Sequence, residues 1–247
     1  MSNETIVTVK NLVKAFGSFH AVDDISFDVY PGEIFGFLGA NGAGKTTAIK
    51  MLIGLWRPTS GEANIAGFDI YKDTEKIKKN IGYMSQKFSL YADLTVRENI
   101  RLFGGIYGLS RKHIISKTDQ LLRRLELRSE ADTLIDDLPL GWKQKLAFSV
   151  AMIHEPKIVF LDEPTGGVDP ITRRQFWELI YETASTGTTI FVTTHYMDEA
   201  EYCDRISMMV SGKIAGLGTP NELKTGFQSK NMDEVFIKIA REGKTLA

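Results

Sequence analysis

A short segment of the chain combines glycines, a lysine and threonines in a spacing that can bind phosphate. Residues 39–47 read GANGAGKTT and fit the pattern G-x-x-x-x-G-K-[ST], directly after the apolar run 34–38, which predicts a buried strand. Glycines in this pattern let backbone N–H groups surround phosphate oxygens, while Lys45 brings a positive charge and the Thr46 hydroxyl suits Mg²⁺. A helix predicted to begin near Gly44 directs the positive end of its dipole at the same anion.

We therefore predict that this loop binds the phosphates of a nucleotide together with Mg²⁺. The alternative interpretation is a glycine-rich turn without a ligand. The loop residues assigned to nucleotide binding are Gly39, Ala40, Asn41, Gly42, Ala43, Gly44, Lys45, Thr46 and Thr47.

Two adjacent carboxylates follow another apolar run. Asp162 and Glu163 come directly after residues 158–161, at the predicted end of a strand. Asp162 suits a Mg²⁺ ligand, directly or through water, and Glu163 can act as the general base that polarises an attacking water. The pair therefore predicts hydrolysis of the bound nucleotide.

A histidine ends a further apolar run. His195 follows residues 190–194 and, taken alone, would be an ordinary strand-end residue. In a chain that also carries Lys45, Asp162 and Glu163, we interpret His195 as catalytic, together with Glu163 and Lys45. A small GTPase would need an N-K-x-D motif, which the sequence lacks, and a small-molecule kinase would not need Glu163 and His195 at this spacing.

The elements that must position these residues alternate between strands and helices. The patterns predict antiparallel strands at 6–9 and 25–29, a helix from the loop to about residue 55 and a strand at 81–84. A mostly helical stretch is predicted from about 89 to 138, with one apolar face formed by Ile115, Thr118, Leu121, Leu122 and Leu125. Three further runs, at 157–161, 188–192 and 205–210, predict buried parallel strands.

The predicted fold class is therefore α/β. We expect a P-loop NTPase with a mixed or parallel core sheet, an N-terminal antiparallel β subdomain and an inserted α-helical subdomain. At 247 residues the chain is long enough for one large α/β domain or two small ones.

The composition argues against several other classes. The sequence has 30 Lys and Arg against 31 Asp and Glu, so it has no basic excess and we expect no nucleic-acid partner. No signal peptide is recognisable at the first residues, and no apolar run reaches membrane-spanning length. The single cysteine, Cys203, fits a reducing cytosol, and we expect it to be a small buried residue rather than a catalytic thiol.

Over nearly its whole length the chain resembles the nucleotide-binding subunits of ABC transporters. The segment Lys14–Gly17, KAFG, resembles the one that supplies the adenine-stacking aromatic, which would be Phe16; the alternative is a core phenylalanine. The segment Gly82–Gln86, GYMSQ, resembles the Q-loop, in which Gln86 would reach Mg²⁺ and report to the membrane partner.

Two more segments carry the resemblance. Residues 161–170, LDEPTGGVDP, resemble the Walker B strand running into the D-loop, which makes Asp169 a contact between subunits and adds Asp162 to Thr46 and Gln86 as metal ligands. Thr194–His195 resembles the switch histidine that contacts the γ-phosphate.

The resemblance implies a head-to-tail dimer that encloses two ATP molecules, each between one subunit's phosphate loop and the other's signature helix. The second ATPase subunit would be the same chain or a related one. A separate transmembrane permease subunit would be the other partner and the only membrane contact, which places the chain in the cytoplasm at the inner face of the membrane. The implied cofactors are ATP and Mg²⁺.

The signature is where the sequence departs from the family pattern. In place of L-S-G-G-Q it reads LPLGW at residues 138–142, so only Leu138 and Gly141 match. Gly141 would face the partner's ATP, whereas Pro139 has neither hydroxyl nor N–H to offer. The amides of Leu140, Gly141 and Trp142 would remain for the anion. This variant resembles that of some export-type members.

The C-terminal segment also resembles export-type members. Residues 231–238 resemble a tail helix of ATPases from two-component exporters of drugs, lipids or polysaccharides, the ABC-2-like group; a plain amphipathic helix packed on the domain is the alternative. We assign residues 1–227 to the ATPase domain, about 88–152 within it to the helical subdomain, and 228–247 to the tail. The predicted apolar face of the tail consists of Met232, Val235, Phe236 and Ile239.

Two questions stay open from the sequence. The apolar residues Phe88, Leu90, Tyr91 and Leu94, between Gln86 and Arg97, either contact the membrane partner or fill the core of the helical subdomain. The chain as a whole either energises a membrane exporter or is a soluble ABC ATPase that acts on ribosomes or chromosomes.

Overall fold

The structure is a computed structural model that describes residues 4–86 and 90–245. Its strands are β1 (Val7–Phe16), β2 (Phe19–Val29), β3 (Ile34–Leu38), β4 (Ser60–Ile65), β5 (Phe68–Asp69), β6 (Ile81–Met84), β7 (Ile158–Asp162), β8 (Thr189–Thr194), β9 (Arg205–Val210) and β10 (Lys213–Gly218). Its helices are α1 (Lys45–Leu52), α2 (Thr74–Asn80), α3 (Val96–Ile106), α4 (Arg111–Arg124), α5 (Leu140–Ala151), α6 (Pro170–Ser185), α7 (Pro220–Gly226) and α8 (Met232–Thr245). Short 3₁₀ turns occur at Ile135–Asp137 and Asp198–Tyr202.

A six-stranded sheet in the order β10-β9-β3-β8-β7-β6 forms the centre of the molecule. Its strands are parallel except for β10, which runs antiparallel to β9. All residues of β3, β7 and β8 are buried, as expected for a parallel sheet covered on both faces. The three predicted parallel strands are thereby confirmed, and β3, β8 and β7 end side by side.

A second, antiparallel sheet has the strand order β2-β1-β4-β5. In sequence, β1 and β2 precede the phosphate loop and β4 and β5 follow it. The predicted strands at 6–9 and 25–29 are confirmed but are much longer, since Val7–Phe16 pairs with Phe19–Val29 over its whole length. Register shifts after Val9 and near Leu12 interrupt the alternation of apolar residues, which hid this extension from the sequence pattern. Gly17, with a φ of +63°, lies in the turn between the two strands.

The segment between β6 and β7 is largely helical, with α3, α4, α5 and the first 3₁₀ turn. The predicted apolar face of α4 is correct for Thr118, Leu121 and Leu122 but wrong for Ile115, which is 53% exposed. Ile114 faces inward instead: a Cβ at Gly104 of α3 would lie 3.0 Å from its Cγ1. The true stripe therefore starts four residues before Thr118, in step with the helical repeat.

The helix after the phosphate loop ends at Leu52 rather than near residue 55. Gly54, with a φ of +73°, follows its end and packs so closely on Thr74 that a Cβ would lie 2.6 Å from the Thr74 Cγ2. Leu55, which the sequence placed in the helix, is exposed.

Helix α8 packs on the body of the molecule. Met232, Val235 and Ile239 are buried in the main hydrophobic cluster, with Phe236 partly buried beside them. This arrangement is the one expected of an amphipathic helix that covers the domain. The division of the chain at residue 228 stays a prediction.

Cys203 lies directly after the second 3₁₀ turn and is buried, as expected. Burial raises the pKa of its thiol. Among the described residues, no helix combines the length and apolar character that a membrane crossing requires.

Candidate functional site

The phosphate-binding loop connects β3 to α1 at the carboxyl edge of the core sheet. Two of its glycines are required by close packing. A Cβ at Gly39 would lie 2.4 Å from the carbonyl oxygen of Met209, and one at Gly44, whose φ is +106°, would lie 2.3 Å from that of Ala21. A larger residue at either position would displace the loop from the strands beside it.

Lys45 begins α1 and lies across the loop. Its side chain is 4% exposed, and its Nζ donates hydrogen bonds to the carbonyl oxygens of Gly39 (2.7 Å) and Ala40 (3.2 Å). The N-cap residue Gly44 offers no side chain to the first turn of the helix, so the amides there keep their capacity for an anion.

Asp162, the last residue of β7, is buried against two hydroxyl groups. Its Oδ1 accepts hydrogen bonds from Thr193 Oγ1 (2.7 Å) and from Thr46 Oγ1 (3.3 Å). Burial raises the pKa of Asp162, and the two hydroxyl donors oppose that effect. The structure thus brings together Thr46 and Asp162, two of the predicted metal ligands.

Three predicted site residues converge on the carboxylate of Glu163. Its Oε2 accepts a hydrogen bond from Gln86 Nε2 (2.9 Å) and lies 3.1 Å from His195 Nδ1, while its Oε1 lies 3.4 Å from Lys45 Nζ. The Glu163 side chain is only 8% exposed. A carboxylate removed from water in this way requires such donors.

The backbone at Glu163 is in an unusual conformation. Its φ is +50°, in the left-handed region that costs a non-glycine residue about 1–3 kcal/mol. Its N–H donates to both the carbonyl oxygen (3.2 Å) and the hydroxyl (3.0 Å) of Thr193 on β8. These bonds hold the strained residue at the end of the strand and aim its side chain at Gln86 and His195.

A cavity of about 300 Å³ lies beside this cluster. Asn41 of the phosphate loop, Gln86, Glu163 and His195 all contribute to its wall. A nucleotide phosphate or a water molecule in this space would contact the phosphate loop and the carboxylate at once.

Phe16 lies at the end of β1 and is not a core residue, so that alternative is wrong. The side chain is 48% exposed and meets Trp56 edge-on, with ring centroids 5.6 Å apart. The β1–β2 hairpin that carries Phe16 packs against the phosphate loop, since a Cβ at Gly44 would lie 2.3 Å from the carbonyl oxygen of Ala21 in β2. Phe16 is therefore accessible to a base, and its stacking role stays a prediction.

Gly141 and Asp169 lie apart from the Glu163 cluster, together with Pro139 and Thr172, in the wall of a second cavity of about 320 Å³. Gly141 is required by packing, since a Cβ would lie 2.6 Å from Thr172 Cγ2. The Asp169 carboxylate caps α6 by accepting from the N–H groups of Ile171 and Thr172, both at 3.0 Å. Neither observation tests their predicted contacts with a second subunit.

The variant signature forms the start of α5. Pro139 is the N-cap residue, and its carbonyl oxygen accepts from the N–H groups of Trp142 (3.0 Å) and Lys143 (3.1 Å). The expectation that the Trp142 amide is free for an anion is therefore wrong. The amides of Leu140 and Gly141 remain as the candidates.

Sequence reasoning missed two residues of this region. Thr193 bonds to both Asp162 and Glu163, but its only signal was a hydroxyl inside an otherwise apolar strand. Trp56 contacts Phe16 but lies 40 residues further along the chain, in a loop without a recognisable pattern.

Comparison with protein families gives a match over more than half of the chain. The sequence model of the "ABC transporter" family matches residues 22–166. That range contains the phosphate loop, Gln86, the variant signature, Asp162 and Glu163.

Individual relatives extend the match to almost the whole chain. The "Probable multidrug ABC transporter ATP-binding protein YbhF" of Escherichia coli is 48% identical over 246 residues, which cover 97% of this chain but 42% of that protein. The "Nod factor export ATP-binding protein I" of Cupriavidus metallidurans is 38% identical over 219 residues, covering 88% of this chain and 72% of the relative. The chain thus spans less than half the length of the first of these relatives.

Solved structures show the same fold. An ATP binding subunit of an ABC transporter superimposes with a TM-score of 0.85 at 30% identity, covering 95% of this chain and 99% of the other. An ATP-binding cassette solved as a dimer in a post-hydrolysis state with ADP and Pi gives a TM-score of 0.77 at 26% identity, covering 86% and 98%. The predicted fold class is therefore confirmed.

The Thr193 hydroxyl can be removed without changing the shape of the side chain. Thr193→Val keeps the shape but removes the hydroxyl shared by Asp162 and Glu163, so we expect the free energy of unfolding to fall by about 1–3 kcal/mol. The rate of ATP hydrolysis should fall as well, because the Asp162 carboxylate loses a hydrogen-bond donor and the Glu163 backbone N–H loses one of its two acceptors. Urea denaturation and an ATPase assay measure the two effects, and Thr193→Ser is the control that keeps the hydroxyl. A valine variant that matches the native protein in both assays would contradict this role.

Proposed function

The chain belongs to the ABC transporter family, and we propose that it is the ATP-hydrolysing subunit that energises a membrane exporter. The observation that carries the proposal is the convergence of Lys45, Gln86 and His195 on the Glu163 carboxylate, beside Thr46 and Asp162. This arrangement joins phosphate-binding groups to a candidate general base.

ATP binds, in this proposal, with its phosphates in the loop at residues 39–47 and its base on Phe16. The backbone amides at the start of α1 and the Lys45 ammonium receive the β- and γ-phosphates. Lys45 contacts loop carbonyls and Glu163 Oε1. A phosphate in the loop competes for this ammonium and so leaves Oε1 to a water molecule, while Gln86 and His195 hold Oε2.

Mg²⁺ fits the donor set of the site. The Thr46 hydroxyl, the Asp162 carboxylate and the Gln86 amide oxygen are hard oxygen donors, and Thr46 Oγ1 lies 3.3 Å from Asp162 Oδ1. When bound, the ion neutralises charge on the phosphate oxygens.

Hydrolysis requires one proton transfer to the protein. The water oxygen forms a bond to the γ-phosphorus while the bond to the ADP oxygen breaks, and Glu163 accepts the proton of the water. His195, whose Nδ1 lies 3.1 Å from Glu163 Oε2, orients the carboxylate. In this proposal its ring also contacts the γ-phosphate. The products are ADP and inorganic phosphate.

The active form is a dimer of ATPase domains in this proposal. One domain contributes the Glu163 cluster to each ATP and the other contributes Gly141 and the start of α5, which lie in a separate cavity of each chain. The related cassette that was solved as a dimer supports this arrangement. Asp169, beside Gly141, would contact the partner domain.

A membrane-spanning subunit is the proposed second partner, and it would hold the chain at the inner face of the membrane. The two relatives are named for multidrug transport and Nod factor export, which supports export. Among the residues discussed as a contact with this subunit, Leu90 is buried, Tyr91 is exposed and Leu94 is intermediate. Phe88 lies outside the described residues.

Exposed apolar side chains on α3, the helix that also contacts Tyr91, enlarge that candidate contact. Leu102 and Ile106 are four residues apart on α3 and both exposed, while Phe103 of the same helix lies 6.2 Å from the Tyr91 ring. We define Tyr91, Leu102 and Ile106 as the docking patch for the membrane subunit.

The central test is Glu163→Gln. The variant keeps the shape of the side chain but removes the base, so ATP should bind normally while hydrolysis falls about 10²–10⁴-fold. Size-exclusion chromatography with ATP should then show a stable dimer. Glu178→Gln, at an exposed position on α6, is the matched control. If Glu163→Gln hydrolyses ATP at the native rate, Glu163 is not the general base.

The docking patch is tested by Tyr91→Ala combined with Ile106→Ser. Loss of apolar contact area should reduce co-purification of the membrane subunit from detergent extracts, while ATP affinity stays unchanged. Ile115→Ser changes an equally exposed isoleucine on α4 and serves as control. Unchanged co-purification, or loss of ATP binding by the double variant, would show that these residues act elsewhere.

The signature variant is tested by Pro139→Ser with Leu140→Gly. A serine at this N-cap adds a hydroxyl and an N–H that a partner's γ-phosphate can use, so the basal ATPase rate should rise, by at most about 10²–10³-fold. Pro139→Ala restores the N–H alone and separates the two contributions. A slower double variant with intact fold and dimerisation would mean that Pro139 and Leu140 belong to a working alternative geometry.

A further inference from the structure

Two exposed aromatic rings meet at the tip of the antiparallel sheet. Phe16 is 48% exposed and Trp56 is 38% exposed, yet their centroids lie only 5.6 Å apart with the planes at 78°. An edge-to-face pair of this kind is favourable beyond its buried area. The two rings form a corner that is open to solvent.

The loop that carries Trp56 is fastened to the end of β1. Lys14 Nζ donates to the carbonyl oxygen of Arg57 (2.8 Å), and Ala15 N donates to Thr59 Oγ1 (3.0 Å). The Thr59 N–H in turn donates to the carbonyl oxygen of Val13 (2.8 Å). Three hydrogen bonds therefore fix this loop relative to the strand that ends in Phe16.

The same loop is joined to the helix of the phosphate-binding loop. The N–H groups of Leu55 and Trp56 both donate to the carbonyl oxygen of Lys50 (2.9 Å each), and Lys50 Nζ lies 4.6 Å from the centroid of the Trp56 ring. Lys50 is five residues after Lys45 in α1, or about 7.5 Å along the helix axis. Trp56 thus links the phosphate-binding helix to Phe16.

We propose that Trp56 is a positioning residue for the nucleotide base: it holds the Phe16 ring at a fixed angle and forms the second wall of the base site. The inference rests on the proposed function, in which Phe16 stacks on the base of ATP. A purine stacked on Phe16 lies parallel to that ring and therefore, like Phe16, at about 78° to the plane of Trp56. Trp56 then contributes to binding of the base and not to binding of the phosphates.

The test compares a ligand that carries a nucleoside with one that does not. ATP and inorganic tripolyphosphate both carry three linked phosphates, but only ATP carries the ribose and the purine. In the full chain, Trp56→Ala should weaken ATP binding about three- to ten-fold and leave tripolyphosphate binding unchanged. Isothermal titration with each ligand gives the ratio of the two dissociation constants, and that ratio is the readout.

Control variants separate a contact with the nucleotide base from a general effect on folding or on phosphate binding. Trp56→Phe should restore most of the ATP affinity, since it returns an aromatic ring. Leu55→Ala changes an exposed apolar neighbour in the same loop and should leave the ratio unchanged. Trp56→Leu keeps an apolar side chain over Lys50 while removing the ring, and it replaces the alanine variant if that variant does not fold.

The outcomes distinguish failure of this inference from failure of the proposed function. Equal weakening of ATP and tripolyphosphate, or no weakening at all, overturns the role of Trp56. Phe16→Ala in the same assay reports on the base site itself. If it leaves ATP affinity at the native value, the assignment of Phe16 is wrong and the inference falls with it.

Discussion

Three parallel strands lie side by side with their carboxyl ends aligned, and the rest of the site depends on this alignment. Residues of β3 pair in register with β8, and those of β8 with β7, so that Leu38 lies opposite Thr194 and Asp162 opposite Thr193. The segments that follow the strands are therefore neighbours whatever their separation in sequence. A shift of one residue in this register would turn Asp162 away from Thr46 and separate Glu163 from Lys45.

The alignment brings together charged groups that are each costly to bury, and each of them is stabilised by its contacts with the others. Asp162 is buried, Glu163 is nearly buried in a left-handed conformation, and Lys45 is buried between them and the loop carbonyls. A single one of these charges would be costly to remove from water, whereas the set satisfies most of its hydrogen-bonding groups internally. Strain and buried charge at one point of a stable sheet are the usual marks of a site arranged for binding or catalysis.

The sequence predicted the parts of this structure that depend on local pattern. The apolar runs gave β3, β7, β8 and β9, because strands buried on both faces are apolar throughout. The length of β1 and β2 and the exposed position of Ile115 were not predictable, since they depend on bulges and on which side of α4 meets α3. Thr193 and Trp56 were missed for a related reason, because their roles come from contacts between distant segments.

The two cavities adjoin at Gly167, which lines both, but they hold different candidate groups. Glu163 and Gly141 line different cavities, and α5, which begins at Leu140, also contributes Gln144, whose Nε2 donates to the carbonyl oxygen of Gly166 (3.2 Å) in the turn after Glu163. A displacement of α5 therefore acts on the turn that follows Glu163, the proposed general base of the same domain. If the start of α5 contacts an ATP held mainly by another domain, this hydrogen bond, together with Gly167, which lines both cavities, connects the two ATP sites. That connection exists equally for two copies of one chain and for two related domains.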